Sequence, residues 1–215
     1  RADWTIYRDE HNRTPTFVSG VIRPKMVFPP ISSPPRSAVL VARAFLERHE
    51  RFFRLESARD ELDVLEEHRC QLGQLHVKFA QRYQGVRLWA QELVVHLDSD
   101  LNVIGLNARF SPTPTGLSTR PLIDRRRTIE LAVAALVDKG PMVDFTPRLR
   151  RLLRYAGPQA TLTILVDKAR GIPATLVWHV RVRTNIRDHW YVFVNASTGA
   201  IVKRYNATAF DGPVP

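Results

Sequence analysis

Residues 75–110 alternate apolar and polar side chains at the period an antiparallel meander requires, and this constrains the chain more than any other stretch. Leu75, Val77, Phe79 and Tyr83 fall on one face of the first run, and His76, Lys78, Ala80 and Arg82 on the other. Gln84-Gly85 supplies a turn with one residue free to take positive φ. In the return run the apolar phase slips: Val86 and Leu88 keep one register, Leu93, Val95 and Leu97 the other. That slip predicts a bulge near Ala90 to Glu92. Asp98-Ser99-Asp100 forms a second turn cluster, and Val103, Ile104, Leu106 and Phe110 make the third strand.

The run Phe79-x-Gln81-x-Tyr83-x-Gly85-Val86-x-Leu88-x-Ala90, followed by Glu92-Leu93-Val94-Val95-His96-Leu97-Asp98, resembles the core of the fungalysin/thermolysin propeptide domain. In that family the aromatic, Gln, Tyr, Gly-Val pattern closes a hairpin in the pro-region of secreted zinc metalloproteases. Two positions depart from the pattern: Ala90 and Leu101 stand where the family has glycine, and Leu101 argues against a glycine-type second turn.

Around the meander, Trp4, Ile6 and Tyr7 suggest one short strand and Thr16-Phe17-Val18 another, before five prolines between positions 24 and 35 break any regular structure. Residues 1–36 therefore read as an extended arm along the first domain. Ser37 is suited to cap a helix whose stripe is Leu40, Val41, Ala44, Phe45, Phe52 and Leu55. Leu62, Val64 and Leu65 begin a strand, and His68 to Gln74 connects it to the meander. Pro112, Pro114 and Gly116 mark a boundary. Beyond it, Ile129, Ala132, Val133, Leu136 and Val137 have helical spacing ended by Gly140 and Pro141, and a basic segment with Leu149, Leu152 and Leu153 suggests a short helix. Residues 161–166, 176–182, 189–194 and 200–204 read as strands.

The second half also carries a resemblance. Leu176-Val177-Trp178-His179-Val180-Arg181-Val182, then Trp190-Tyr191-Val192-Phe193-Val194-Asn195-Ala196-Ser197-Thr198-Gly199-Ala200-Ile201-Val202, is similar to the PepSY domain that follows the propeptide domain in thermolysin-like precursors; Asn195 replaces that family's Asp. The expected class is α+β, with two small domains, each an antiparallel sheet packed by one main helix. The expected boundaries are an arm at 1–36, a propeptide-like domain at 37–111, a linker at 112–123, a PepSY-like domain at 124–206 and a processing tail at 207–215.

A net charge of +11 raises nucleic acid or another polyanion as a partner, but the excess is mostly arginine and is scattered. Its clusters are Arg125 to Arg127 and Arg148, Arg150 and Arg151; the latter three are the candidate basic face toward an acidic protein partner, and nucleic acid is disfavoured. No apolar run reaches the ~20 residues of a membrane helix. The chain opens at Arg1 without a leader-like stretch, so it reads as a processed or excised piece. Cys70 is alone and has no partner motif. His49-Glu50 begins a zinc-protease motif, but Phe53 stands where its second histidine belongs, and no other histidine pair has that spacing. His76 and His96 read as solvated imidazoles on polar strand faces. No nucleophile elbow, phosphate loop or dinucleotide fingerprint occurs, so no catalytic, cofactor or metal residue is expected.

The two resemblances together imply a non-catalytic pro-region that templates and inhibits the catalytic domain of a secreted thermolysin-like protease, with zinc and calcium belonging only to that domain. A stand-alone secreted metalloprotease inhibitor and a basic polyanion-binding adaptor are the alternatives. Phe79, Gln81, Tyr83, Gly85, Val86, Trp178, Tyr191 and Gly199 are the structural residues of the two motifs. Tyr205, Asn206, Ala207, Thr208, Ala209 and Phe210 form the expected inhibitory and processing tail. Ala207 to Phe210 read as uncommitted, and a thermolysin-like cleft's preference for a bulky apolar residue after the scissile bond places the cut near Ala209-Phe210.

Overall fold

The computed structural model describes residues 4–22, 37–140, 142–167 and 172–208, which form an α+β structure of antiparallel strands and few helices. Its contacts gather into two compact units, divided between Gly116 and Leu117.

In the first unit, β1 (Thr5–Arg8) and β2 (Pro15–Ile22) precede α1 (Ala38–Arg48), α2 (Glu50–Phe53) and α3 (Ala58–Glu61). Then come β3 (Leu62–Arg69), β4 (Leu75–Tyr83), β5 (Val86–Leu97) and β6 (Val103–Arg109). All strand pairs are antiparallel, in the order β1-β2-β6-β5-β4-β3. The meander is β4-β5-β6, and residues 5–22 extend it as paired strands. Gly105 admits β2 at close range: a Cβ there would lie 3.0 Å from the carbonyl oxygen of Val18.

Gln84 (φ 47) and Gly85 (φ 83) both take positive φ between the paired Tyr83 and Val86, as a two-residue type I′ turn demands. The register then jumps from Arg82↔Arg87 to Ala80↔Glu92, leaving Gln81 opposite the bulged residues Leu88 to Gln91. Ala90 within the bulge has φ 54, and Leu101 in the second turn has φ 64. Leu101 thus adopts the glycine-type conformation that its identity argued against. Asp98 stabilises that turn, its carboxylate accepting from the backbone N–H groups of Asp100 and Asn102.

Val41, Ala42, Phe45 and Leu46 of α1 join the core formed by Val77, Phe79, Leu93, Val95, Leu97 and Leu106. Leu40 is not part of this stripe. It is 55% exposed, because the buried positions follow Ala38, Val41, Ala42 and Phe45 along the opposite face. Ser37 makes no side-chain cap bond, and the single expected helix breaks at His49 and ends at Arg54 with φ 58.

The second unit contains α4 (Arg125–Ala134), a 3-10 turn at Val137–Lys139, α5 (Pro147–Leu152), β7 (Gln159–Asp167), β8 (Ile172–Arg183), β9 (His189–Asn195) and β10 (Ile201–Asn206). The strands pair antiparallel in sequence order. Asp124 caps α4 by accepting from the N–H of Arg127. Ala132 and Leu136 bury against Val180, Val182, Val192 and Val194, with Ile129 and Val133 beside them. Val137, expected in this stripe, is 76% exposed because the helix ends at Ala134 and the following turn carries it outward.

Candidate functional site

The residues of the first motif form a buried polar clasp. Gln81, at 0% exposure, donates from Nε2 to the carbonyl of Ser111 (2.7 Å), and its Oε1 accepts from the N–H of the same residue (3.0 Å). The hydroxyl of Ser111 donates to Oε1 of Gln91, the bulge residue, at 3.2 Å. Buried Glu61 extends the arrangement: Oε1 accepts from the N–H groups of Glu56 and Ser57, and Thr113 Oγ1 donates to the same carboxylate. The motif glutamine and the bulge therefore hold Ser111 against β4 and β5, and Glu61 ties Thr113 to the turn that begins α3. Sequence reading identified Gln81 but missed Gln91, Ser111, Glu61 and Thr113. Of these, only Gln91, a polar residue at the apolar phase slip, left a local signal.

Phe79 is fully buried and Tyr83 half-buried beside the I′ turn. In the second motif, Trp178 donates from Nε1 to the carbonyl of Ile123 at 2.9 Å, joining β8 to the segment before α4. Gly199 has φ 78, and a Cβ there would lie 2.9 Å from Ile123 Cδ1 and 3.1 Å from Leu131 Cδ1, so both backbone and space require glycine. Tyr191 is half-buried and packs against His179, His189 and Tyr205.

His76 and His96 are not separately solvated. They are directly paired across β4 and β5, with their Nδ1 atoms 2.5 Å apart, one ring donating to the other. His68 of β3 stacks on His76. Burial first, then the neighbouring His76, pushes the His96 pKa down. In the second unit burial, then Arg181 and His189, pushes His179 down to about 4. Among the described residues no group of three or more His, Cys, Asp or Glu side chains could hold a metal ion.

Of the basic candidates, Arg150 is exposed but engaged locally, donating to the carbonyl of Phe145 and the carboxylate of Asp144. Arg148 and Arg151 instead line, with Thr146, Leu149 and Leu152, an open hollow of about 620 Å³ along α5. The expected tail divides. Tyr205 and Asn206 belong to β10, and Ala207 and Thr208, read as uncommitted, are bonded to the preceding loop. Ala207 N–H donates to the carbonyl of His189 (2.6 Å), and Thr208 Oγ1 donates to that of Arg187 (2.6 Å) and accepts from the N–H of His189 (3.0 Å). Ala209 and Phe210, with the expected cleavage point, lie outside the described residues.

The clasp, bulge and hairpin lie in and just beyond the segment from Asp60 to Phe110 that matches the Fungalysin/Thermolysin Propeptide Motif. Residues 60–110 carry this propeptide motif. Beyond it, the chain is 24% identical over 205 residues to the thermostable neutral protease NprT of Geobacillus stearothermophilus, covering 94% of this chain and 34% of that protein. It is 25% identical over 201 residues to thermolysin of Alicyclobacillus acidocaldarius, covering 92% and 34%, and 23% identical over 176 residues to bacillolysin of Brevibacillus brevis, covering 77% and 31%. The chain thus spans about a third of the length of these relatives. The Bacillus megaterium YpeB C-terminal domain covers 96% of this chain and 89% of its own at 16% identity, with a TM-score of 0.36, too loose a likeness to support an argument. The propeptide motif, and alignments confined to about a third of each relative, make the chain similar to the pro-region of thermolysin-like proteases. No helix among the described residues is long and apolar enough to cross a membrane.

Proposed function

We propose that this pro-region templates the folding of a secreted thermolysin-like zinc metalloprotease catalytic domain and inhibits it until processing. The observation that carries the reading is the propeptide motif at residues 60–110 within a chain that aligns over 92–94% of its length with a third of two protease precursors. On this reading residues 37–111 and 124–206 are two domains, the second of PepSY type, each an antiparallel sheet packed by one main helix. Zinc and calcium belong to the catalytic partner alone. Two features support a strand-addition mechanism: β10 is paired only with β9 among the described residues, and the chain continues from it directly toward the tail. While the tail is covalently joined to its target, effective concentration makes modest contacts sufficient.

The test is refolding of a denatured cognate catalytic domain with and without this chain in trans, followed by inhibition assays on the native enzyme. Recovery of activity that depends on the chain, and inhibition lost on deleting residues from 205 onward, are expected. Equal refolding without the chain would refute templating. Inhibition that ignores the deletion would refute the tail's role.

A further inference from the structure

We propose that Arg154, Arg181, Arg183 and His189 form a binding site for a single carboxylate group. The site follows from strand register. Arg181 and Arg183 are two residues apart on β8 and so share a face; Gln159 of β7 lies opposite Arg181, and His189 of β9 opposite Arg183. The chain leaving α5 brings Leu153, Arg154 and Tyr155 over this face, where the Tyr155 hydroxyl accepts from the backbone N–H of Arg183 at 3.2 Å. These seven residues line a cavity of about 130 Å³.

Among the described residues of this unit the cations of this cavity have no counterion. Arg181 donates to the neutral amide oxygen of Gln159 (2.6 Å) and Arg183 to the carbonyl of Ile186 (3.3 Å). The Arg154 side chain makes no hydrogen bond among the described residues. Every described carboxylate of this unit is engaged elsewhere. Asp124 caps α4, Glu130 meets Arg126 and Arg127, Asp138 meets Arg204, Asp144 meets Arg150, Asp167 meets Lys203, and Asp188 accepts from Asn185 and Asn206. Burial lowers the His189 pKa, and the neighbouring Arg183 and Arg181 add to the effect.

Three guanidiniums around a small hollow suit an oxyanion. The lining selects among oxyanions: Gln159 and Tyr155 line the same space as the cations and add neutral oxygens to it. A planar monoanion fits that mixed lining better than a phosphate dianion. At about 130 Å³ the cavity admits the head of an acidic side chain or a small acid but not a nucleotide or sugar. The carboxylate has two possible sources, an acidic side chain of a protein partner and a free small acid.

The experiment is an NMR titration of the full 215-residue chain with N-acetylglutamate at constant ionic strength, reading the arginine Nε–Hε and His189 resonances. Saturable shifts at Arg181, Arg183 and His189 are expected. Arg154→Gln and Arg181→Gln should each weaken binding about tenfold, the loss of one charge-assisted hydrogen bond, and Arg120→Gln should leave it unchanged. Arg154→Gln breaks no hydrogen bond, so its loss of binding reports on the site. A capped Ala-Glu-Ala peptide binding at least about tenfold tighter assigns the site to a protein partner, and equal affinity assigns it to a free acid. Linear shifts without saturation, equal shifts at Arg125 and Arg148, or tighter binding of inorganic phosphate would overturn the proposal.

Discussion

Replacing Ala90 with glycine should stabilise the protein, against the usual expectation that glycine weakens a strand. Ala90 sits in the β5 bulge with φ 54, and its side chain is exposed. An L-residue in the left-handed region costs ~1–2 kcal/mol, whereas glycine's greater freedom when unfolded costs ~0.5–1 kcal/mol. No packing is lost, so backbone relief wins by about 0.5–1 kcal/mol. The melting temperature should rise by about 1–4 °C if the whole chain unfolds together, and by about 2–8 °C if the first unit melts alone. Leu101 has the same conformation (φ 64) but packs against the core. Leu101→Gly gives up part of the ~1.5–3 kcal/mol of a buried leucine, so its sign should reverse or vanish. Ala90→Val, with a β-branched side chain in the same region, should destabilise by ~1 kcal/mol or more. Thermal unfolding followed by circular dichroism measures all three variants. If Ala90→Gly fails to raise the melting temperature while Ala90→Val is neutral, the bulge conformation is wrong.

Three further perturbations test the clasp, the second turn and the histidines. Gln81→Leu strips both bonds from the buried backbone of Ser111 and should cost about 2–5 kcal/mol in urea unfolding, whereas Ser111→Ala, which keeps those backbone groups, should cost under about 1.5 kcal/mol. Gly199→Ala adds a Cβ at φ 78 and 2.9 Å from Ile123, so a loss of about 1–3 kcal/mol is expected in a thermal melt, and an unchanged melt would contradict the packing. The folded-state pKa values of His96, His179 and His189 are all depressed, so the unfolded chain binds protons first: stability should be complete above pH 6.5 and fall as pH drops toward 4. For His179 alone, the change from 6.5 to about 4 is worth on the order of 3 kcal/mol, and urea midpoints that do not change between pH 7 and 4.5 would refute the burial of these rings.

The meander and the helix from Arg125 were legible because strand and helix periods are local, and the α+β class followed from them. The pairing of β2 with β6 was not, since Phe17↔Asn107 joins residues far apart in sequence and Gly105 marks their close approach only once they meet. The positive φ at Ala90 and Leu101 was hidden for a different reason: neither residue is glycine, and the surrounding register, not intrinsic preference, holds the conformation. Gln81 was recognised by resemblance, but its partner Ser111 is thirty residues away. Two histidines twenty residues apart could be placed side by side only after the hairpin register aligned them. Leu40 and Val137 show the other limit: helical spacing alone does not say where a stripe ends.

The bonds that hold Ala207 and Thr208 to the loop at 187–189 make the exit from β10 a kinetic gate. A protease needs several residues on each side of a scissile bond in extended form, so a cut between Ala209 and Phe210, where the proposed processing point lies, must draw Ala207 and Thr208 away from that loop. Three bonds at ~1 kcal/mol each would leave about one molecule in a hundred open at a time, slowing cleavage by that factor while opening remains fast. Thr208→Val, which removes two of the three, should then hasten release of the downstream chain by roughly thirtyfold without altering the melting of the first unit. If processing falls at that point, a single hydroxyl would set how long a pro-region stays attached after it has folded.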